Sequence, residues 1–369
     1  MIFAINGALF GTWASRIPAI SNIHGLSPAS LGSLIFLMGL SAVVAFSIFG
    51  RAADRFGAAF VTKTASSIFL PLTLIFIAYA NSIWMLIAAI IFFGGIHGGI
   101  DVAMNAWAAE VERKYERPLM SSFHAMWSLG SGIGAGFGVL LATYSLGVKM
   151  HFTISSIVIF LAVLSILTIP FQSEKRQRDK NVPFISIPRG SLLTVAFITF
   201  FASLGEGAIA DWSAIFLISV LSINDGSAAL GFTIFSICMF AMRLMGDRIS
   251  FKYGPSKTAR YSGLVALIGS IILLTFESFF PLLIGFGLIG LGIAVIIPLA
   301  FSRAGNDKNI SQGTAIASIA TLGYGGMLIG PLFIGLIAEA TSIKSSFLIF
   351  PILAFLIFAL SKHLSIKSA

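Results

Sequence analysis

The sequence predicts an all-α membrane protein: about twelve transmembrane helices in two pseudo-symmetric six-helix bundles. Three observations carry this. The 369-residue chain is 57% hydrophobic and only 10% charged, with a mean hydropathy of +0.99. A water-soluble domain cannot cover that much apolar surface. The apolar residues also fall in blocks of about 20, long enough to cross a hydrocarbon core of roughly 30 Å. Finally, the two halves of the chain repeat each other.

Six blocks come first, at 2–15, 30–50, 58–79, 82–108, 121–143 and 151–171. Six more follow at 191–211, 227–246, 256–277, 279–302, 312–338 and 345–361. Ser27-Pro28, Asp225-Gly226-Ser227 and Pro255-Ser256 carry the polar cap and first-turn proline that open helices. The first block reaches only roughly 21 Å as a helix. Either it continues through Ile20 despite Arg16 and Pro18, or residues precede Met1; the second is the expectation. No cleavable signal peptide is evident, because apolar sequence follows Met1 without a basic segment. Between the halves lies the hydrophilic run Ser173-Glu174-Lys175-Arg176-Gln177-Arg178-Asp179-Lys180-Asn181. The expected organisation is a bundle over 1–171, a cytoplasmic linker over 172–190 and a second bundle over 191–369.

Basic residues set the expected orientation. With the N-terminus in the cytoplasm, Arg16, Lys149 and Lys344 fall outside and all other Lys and Arg fall on the cytoplasmic side. This predicts a multi-pass protein of the inner membrane with both termini cytoplasmic. It also accounts for the net charge of +9 without a nucleic-acid partner. The single cysteine, Cys238, excludes an internal disulfide and any multi-cysteine metal site.

The repeat runs at an offset near 193. Leu129-Gly130 matches Leu322-Gly323, and Phe93 and Gly99 match Phe286 and Gly292. Trp13 with Leu31-Gly32 recurs as Trp212 with Leu230-Gly231 at a neighbouring offset. Two such halves about one axis enclose a mid-membrane cavity, exposed to either side as they rock.

Between the second and third blocks lies Gly50-Arg51-Ala52-Ala53-Asp54-Arg55-Phe56-Gly57. Glycine at each end suits a tight turn, and Asp54 and Arg55 suit charge pairs that break on rocking. The second half repeats the pattern from Gly246-Asp247-Arg248 to Gly254. The segment resembles the loop signature of the major facilitator superfamily, which implies a major-facilitator-type fold. Nearly the whole chain further resembles the fucose-permease-like branch and its bacterial members. The residues concerned are Gly11-Thr12-Trp13-Ala14-Ser15-Arg16-Ile17-Pro18, Asp101-Val102-Ala103-Met104-Asn105, Ser121-Ser122-Phe123-His124 and Glu206-Gly207-Ala208-Ile209-Ala210-Asp211-Trp212. By that resemblance Asp101 stands where the fucose:proton symporter carries a protonatable glutamate. Ala14 stands at the place of that symporter's second acidic residue.

Physical chemistry singles out some of the same residues. A charge near the bilayer centre costs on the order of 3 kcal/mol. Asp101 and Glu206 lie well inside blocks, and a carboxyl group out of water is able to hold a proton in one state and release it in another. His97, Asp101 and Asn105, spaced by four, share one helix face. His124 lies at matching depth on the antiparallel fifth helix, which predicts an Asp101–His124 pair. The expected proton-coupling residues are therefore Asp101, Glu206 and His124. Asn6, His97, Asn105 and Trp127 are the expected substrate contacts. Gly50, Asp54, Arg55, Gly57, Asp247 and Arg248 are the expected gating loop.

Asp211 and Trp212 are expected at the outer end of the seventh span, with Trp212 as an interfacial anchor. Gly130, Gly134 and Gly138 predict close helix packing. Gly330-Pro331 and Pro298 predict kinks.

No His-Glu-x-x-His, Gly-x-Ser-x-Gly or lysine-bearing phosphate loop occurs. The reading is not an enzyme, with no cofactor and no metal. It is a monomeric secondary transporter in the lipid bilayer, moving a small solute by alternating access and coupled to protons or sodium. The resemblance points to a sugar or sugar-like substrate. Two alternatives stay open: an exporter of amphipathic or toxic compounds, and a non-transporting sensor on the same fold.

Overall fold

The computed structural model describes residues 1–115, 119–173, 188–307 and 312–365. The expected linker therefore lies largely outside the described residues. Those described are helical, with no strand among them. We number twelve segments: α1 Ile2–Ala14, α2 Pro28–Phe56, α3 Ala58–Ala78, α4 Ile83–Tyr115, α5 Met120–Thr143 and α6 Val148–Leu167. The second series is α7 Ser191–Leu221, α8 Asp225–Tyr253, α9 Pro255–Thr275, α10 Phe279–Gly305, α11 Gln312–Ala340 and α12 Ile343–Leu364. Among the described residues, eleven helices are long and apolar enough to cross a membrane; Ile2–Ala14 is the shorter twelfth.

Local chemistry explains several ends. Ser27 Oγ accepts the Ser30 N–H at 3.3 Å, with Pro28 at the first helical position. At α8 the cap is Asn224, one residue ahead of the expected Asp225, and its Oδ1 accepts the Ser227 N–H at 2.8 Å. After α1 the chain breaks at Ser15-Arg16. It then resumes as the short helix Ile17–Ile23, whose first turn Pro18 occupies without losing a needed donor.

The described residues cluster into two compact units. One holds the residues up to 173 together with 224–233; the other holds 188–223 and 234–365. Inside the first, α1 packs on α5, α2 on α4, and α3 on α4 and α6. Inside the second, α7 packs on α11, and α9 on α10 and α12, with the α8 backbone at Phe235 against Gly290 of α10. The same pairing scheme thus occurs twice, as a duplicated sequence requires.

Small residues set the closest of these approaches. A Cβ on Gly130 would lie 2.0 Å from the Ala4 carbonyl oxygen, and one on Gly134 would lie 2.2 Å from that of Ala8. The reverse holds at Gly7 and Gly11, whose Cβ atoms would meet the Trp127 and Ser131 carbonyls at 2.1 and 2.0 Å. The α1–α5 contact is backbone against backbone.

Two expectations about helix ends change. The segment expected as a loop from Gly50 is helical through Phe56, so Gly50, Asp54 and Arg55 belong to the last turns of α2. Arg-Ala-Ala-Asp-Arg contains no helix breaker; the stop comes at Gly57, with φ +96°, a conformation costly for any residue with a Cβ. Asp247 and Arg248 likewise lie inside the last turns of α8, which is followed by Gly254 at φ +83°. The second change concerns α7, which runs ten residues beyond Asp211, to Leu221. Asp211 and Trp212 are therefore inside the helix, 4% and 0% exposed. Trp212 is a packed core residue and not an interfacial anchor.

Candidate functional site

In the first unit α1, α4 and α5 bring most of the expected contact residues together. Asn6, fully buried on α1, donates its Nδ2–H to the His97 carbonyl on α4 at 3.4 Å. The His97 ring stacks on Phe93 with centroids 5.7 Å apart and lies 5.5 Å from the Phe10 ring. Phe10 in turn lies 5.8 Å from Trp127 on α5 and 6.2 Å from Phe232. Phe10 is the residue that sequence reasoning missed. It looked like ordinary packing material among 35 phenylalanines, yet it joins His97 to Trp127.

Two polar atoms in this cluster are buried without a hydrogen-bond partner among the described residues: Asn6 Oδ1 and His97 Nε2. A buried polar atom left unpaired costs about 1–3 kcal/mol, so such atoms mark places where a ligand or water completes the bonding. One is an acceptor. The other donates or accepts according to its tautomer.

One turn along α4 from His97, Asp101 is held by its own helix. Asn105 Nδ2 donates to the Asp101 carbonyl oxygen at 2.9 Å and to its carboxyl Oδ1 at 3.3 Å. The partner is a neutral amide. His124, on α5, meets the edge of the Phe3 ring at 5.5 Å.

The second unit treats its carboxylate differently. Glu206 on α7 receives the Arg243 Nη2 group of α8 on both oxygens, at 3.2 and 3.3 Å. Arg243 Nε also donates to the Ala294 carbonyl at 3.4 Å. Glu206 and Arg243 are each only 8% exposed. The orientation count grouped Arg243 with the cytoplasmic residues; its side chain instead lies inside the helix packing, as the counter-ion of Glu206. Its place inside an apolar block was the available signal.

Arg16, counted as external, is also buried, at 4% exposed. It donates from Nε to His151 Nδ1 at 2.8 Å and from Nη2 to the Leu146 carbonyl at 2.9 Å. Since Nδ1 accepts, His151 is neutral with its hydrogen on Nε2.

The expected gating residues sit at corresponding helix ends, with the Arg55 guanidinium 5.1 Å from the Phe56 ring centroid. The described residues contain no group of three or more His, Cys, Asp or Glu able to hold a metal ion.

Apolar crossing helices, a twice-used packing scheme and polar clusters sealed inside each unit define a multi-pass membrane transporter. The chain belongs to the Major Facilitator Superfamily, whose family model matches residues 1–309. It is 39% identical to the uncharacterized transporter y4wD of Sinorhizobium fredii over 359 residues, 97% of this chain and 95% of that one. It is 33% identical to an uncharacterized MFS-type transporter of Yersinia pestis, over 94% of this chain and 90% of the relative. A 30% identical relative is the membrane protein MosC of Rhizobium meliloti, with 94% and 84% covered. Among solved structures, the nucleoside transporter NupG superposes with a TM-score of 0.73, at 16% identity and 97% coverage of both chains. An inward-facing bacterial homolog of the lysosomal transporter Spinster gives 0.73 at 14% identity, covering 100% and 97%. At these identities the structures speak for the fold alone.

Proposed function

We propose that the protein is a proton-coupled secondary transporter of a small, neutral, hydroxyl-bearing solute, sugar-like in chemistry. The observation that carries this is the pair of unpartnered buried atoms, Asn6 Oδ1 and His97 Nε2, beside the Phe10 and Trp127 rings. Adjacent hydroxyls would satisfy an acceptor and a donor–acceptor side by side, while the C–H face of a ring packs on the aromatics. Among the described residues of that cluster none is a Lys, Arg or Glu, and the one nearby carboxyl group, Asp101, serves the proton in this reading.

In this reading Asp101 takes up and releases the coupling proton, one turn from His97, and Asn105 orients its carboxyl group. His124 pairs with Asp101 in one state of the cycle. Glu206 couples through Arg243, and the helix ends bearing Asp54-Arg55 and Asp247-Arg248 form charge pairs on one side of the membrane that break as the halves rock. The setting is the inner membrane, with both termini cytoplasmic.

The test is thermal denaturation of purified protein against a panel of sugars, polyols and nucleosides at two pH values. A hydroxylated solute raises the melting temperature by mass action, by an amount that differs between the two pH values. Asp101→Asn removes that pH dependence. Stabilisation by amphipathic cations alone, or a solute response unchanged in Asp101→Asn, would refute the proposal.

A further inference from the structure

Asp211 is a buried carboxyl group that the mechanism above leaves unused. It lies within α7, is 4% exposed, and its Oδ1 has no hydrogen-bond partner among the described residues. The charged and titratable groups around α7 are engaged elsewhere or stand at other levels. Glu206 is held by Arg243 of α8. Arg303 of α10 is on Asp307 and reaches Ser191, at the far end of α7. Lys344 of α12 is on Glu277. His363 Nδ1 is within 3.1 Å of the Leu360 carbonyl, and Lys362 is beside it in the last turn. Tyr324 of α11 lies mid-helix, one turn before Met327, but is 44% exposed, and Glu339 lies at the C-terminal end; each has an interaction of its own. Among the described residues none forms an ion pair with Asp211.

The neighbouring backbone supplies what a protonated acid needs. Gly207 precedes Asp211 by one turn on the same face. A Cβ on Gly207 would lie 3.3 Å from the Met327 carbonyl oxygen of α11. Four residues beyond Met327 stands Pro331, inside the helix. Proline has no N–H, so this carbonyl lacks its regular helical donor. Side chains on a helix lean toward its N-terminus, which carries the Asp211 carboxyl group back over Gly207.

We propose that Asp211 is a proton-binding site of the second unit, holding the proton as a carboxylic acid beside the Met327 carbonyl, whose regular helical donor Pro331 removes. The chemistry is one O–H bond: a carboxylate oxygen takes a proton from hydronium, leaving water, and later returns it to water. Isolated ionised carboxylates in apolar surroundings neutralise rather than stay charged. With Glu206 tied to a guanidinium, Asp211 is the carboxyl group on α7 able to change charge without breaking an ion pair. Its use in transport rests on the proton-coupled reading; its occupancy by a proton does not.

The experiment is infrared difference spectroscopy of the protein in proteoliposomes between acidic and alkaline buffer. Wild type is expected to show a protonated-carboxyl C=O band that Asp211→Asn loses and Asp211→Glu shifts in frequency. The second variant covers the case in which the first fails to fold. Identical spectra for wild type and Asp211→Asn overturn the proposal. So does a sodium-dependent stabilisation lost in Asp211→Asn without a matching band, which would make the residue a sodium ligand. Loss of the band together with pH-independent solute uptake upholds the site and refutes proton coupling, so the two failures are told apart.

Discussion

Asp101 in the first unit and Glu206 in the second are both carboxyl groups inside crossing helices, yet their partners differ in kind. Asp101 is met by a neutral amide from its own helix. Glu206 is met by a guanidinium from the next helix in the chain. An amide bonds either protonation state of a carboxyl group, whereas a guanidinium favours the charged one. One arrangement stays within a single helix and adds no countercharge; the other is an ion pair that ties two helices together. The units share a packing scheme, but the repeat has been put to different electrostatic use in each.

The largest expected effect tests the ion pair. Arg243→Ala strands Glu206 in the interior and should cost about 3–5 kcal/mol, read as a large fall in melting temperature. The double variant Arg243→Met/Glu206→Leu should recover most of it, since a well-packed apolar pair replaces a buried ionic one at little cost. Asp101→Asn should barely change stability. If Arg243→Ala proves no worse than Asp101→Asn, the contrast between the units fails.

A smaller effect compares the helix contacts. Gly130→Ala pushes a methyl group onto the Ala4 carbonyl at 2.0 Å, whereas Gly330→Ala meets Leu204 at 3.1 Å. Overpacking of the first kind should cost about 1–3 kcal/mol and exceed the second. Equal melting temperatures would show that α1–α5 yields as readily as α7–α11.

Next comes Asn105→Ala, which removes the hydrogen bonds on Asp101 and should cost about 1 kcal/mol. Its sharper readout is the pH profile of solute uptake, expected to move while maximal uptake is kept.

The smallest effect lies outside the spans. Lys344 holds the Glu277 carboxyl group below its ordinary range through a hydrogen bond and its charge. A lowered value means that any stability gained is present at neutral pH and lost as pH falls through the folded value. Glu277 is fully exposed, however, and solvent screens such pairs. Lys344→Gln should leave the melting temperature unchanged at neutral and acidic pH alike.

How much of this was legible in the sequence follows from the range of each signal. Crossing helices are local apolar runs, and the Asp101–Asn105 contact is a spacing of four on one helix, so both could be read directly. The duplication itself was legible from matched residues; which helices pair within each half, α1 with α5 and α7 with α11, came only from the structure. The partner of Glu206 could not be read, because Arg243 lies 37 residues away on another helix and charge counting assigned it to an aqueous side. Trp212 was misplaced because an Asp-Trp pair resembles an interfacial end, while the apolar run continues to Leu221. The turn expected after Gly50 failed for a related reason: charged residues do not stop a helix, whereas a glycine with positive φ does. Phe10 carried no signal of its own, since its importance comes only from the rings that three helices bring around it.

The carbonyl-tight fit of α1 on α5 has a consequence for how this scaffold diversifies. At four positions, Gly7, Gly11, Gly130 and Gly134, a Cβ would lie within 2.2 Å of a carbonyl oxygen of the other helix, so any larger residue there must push the two backbones apart. Novelty in what the scaffold accepts must then come from side chains hung along that helix pair, Phe10 and Trp127 foremost. Random libraries built on this chain should keep those glycines untouched while the two aromatic positions drift.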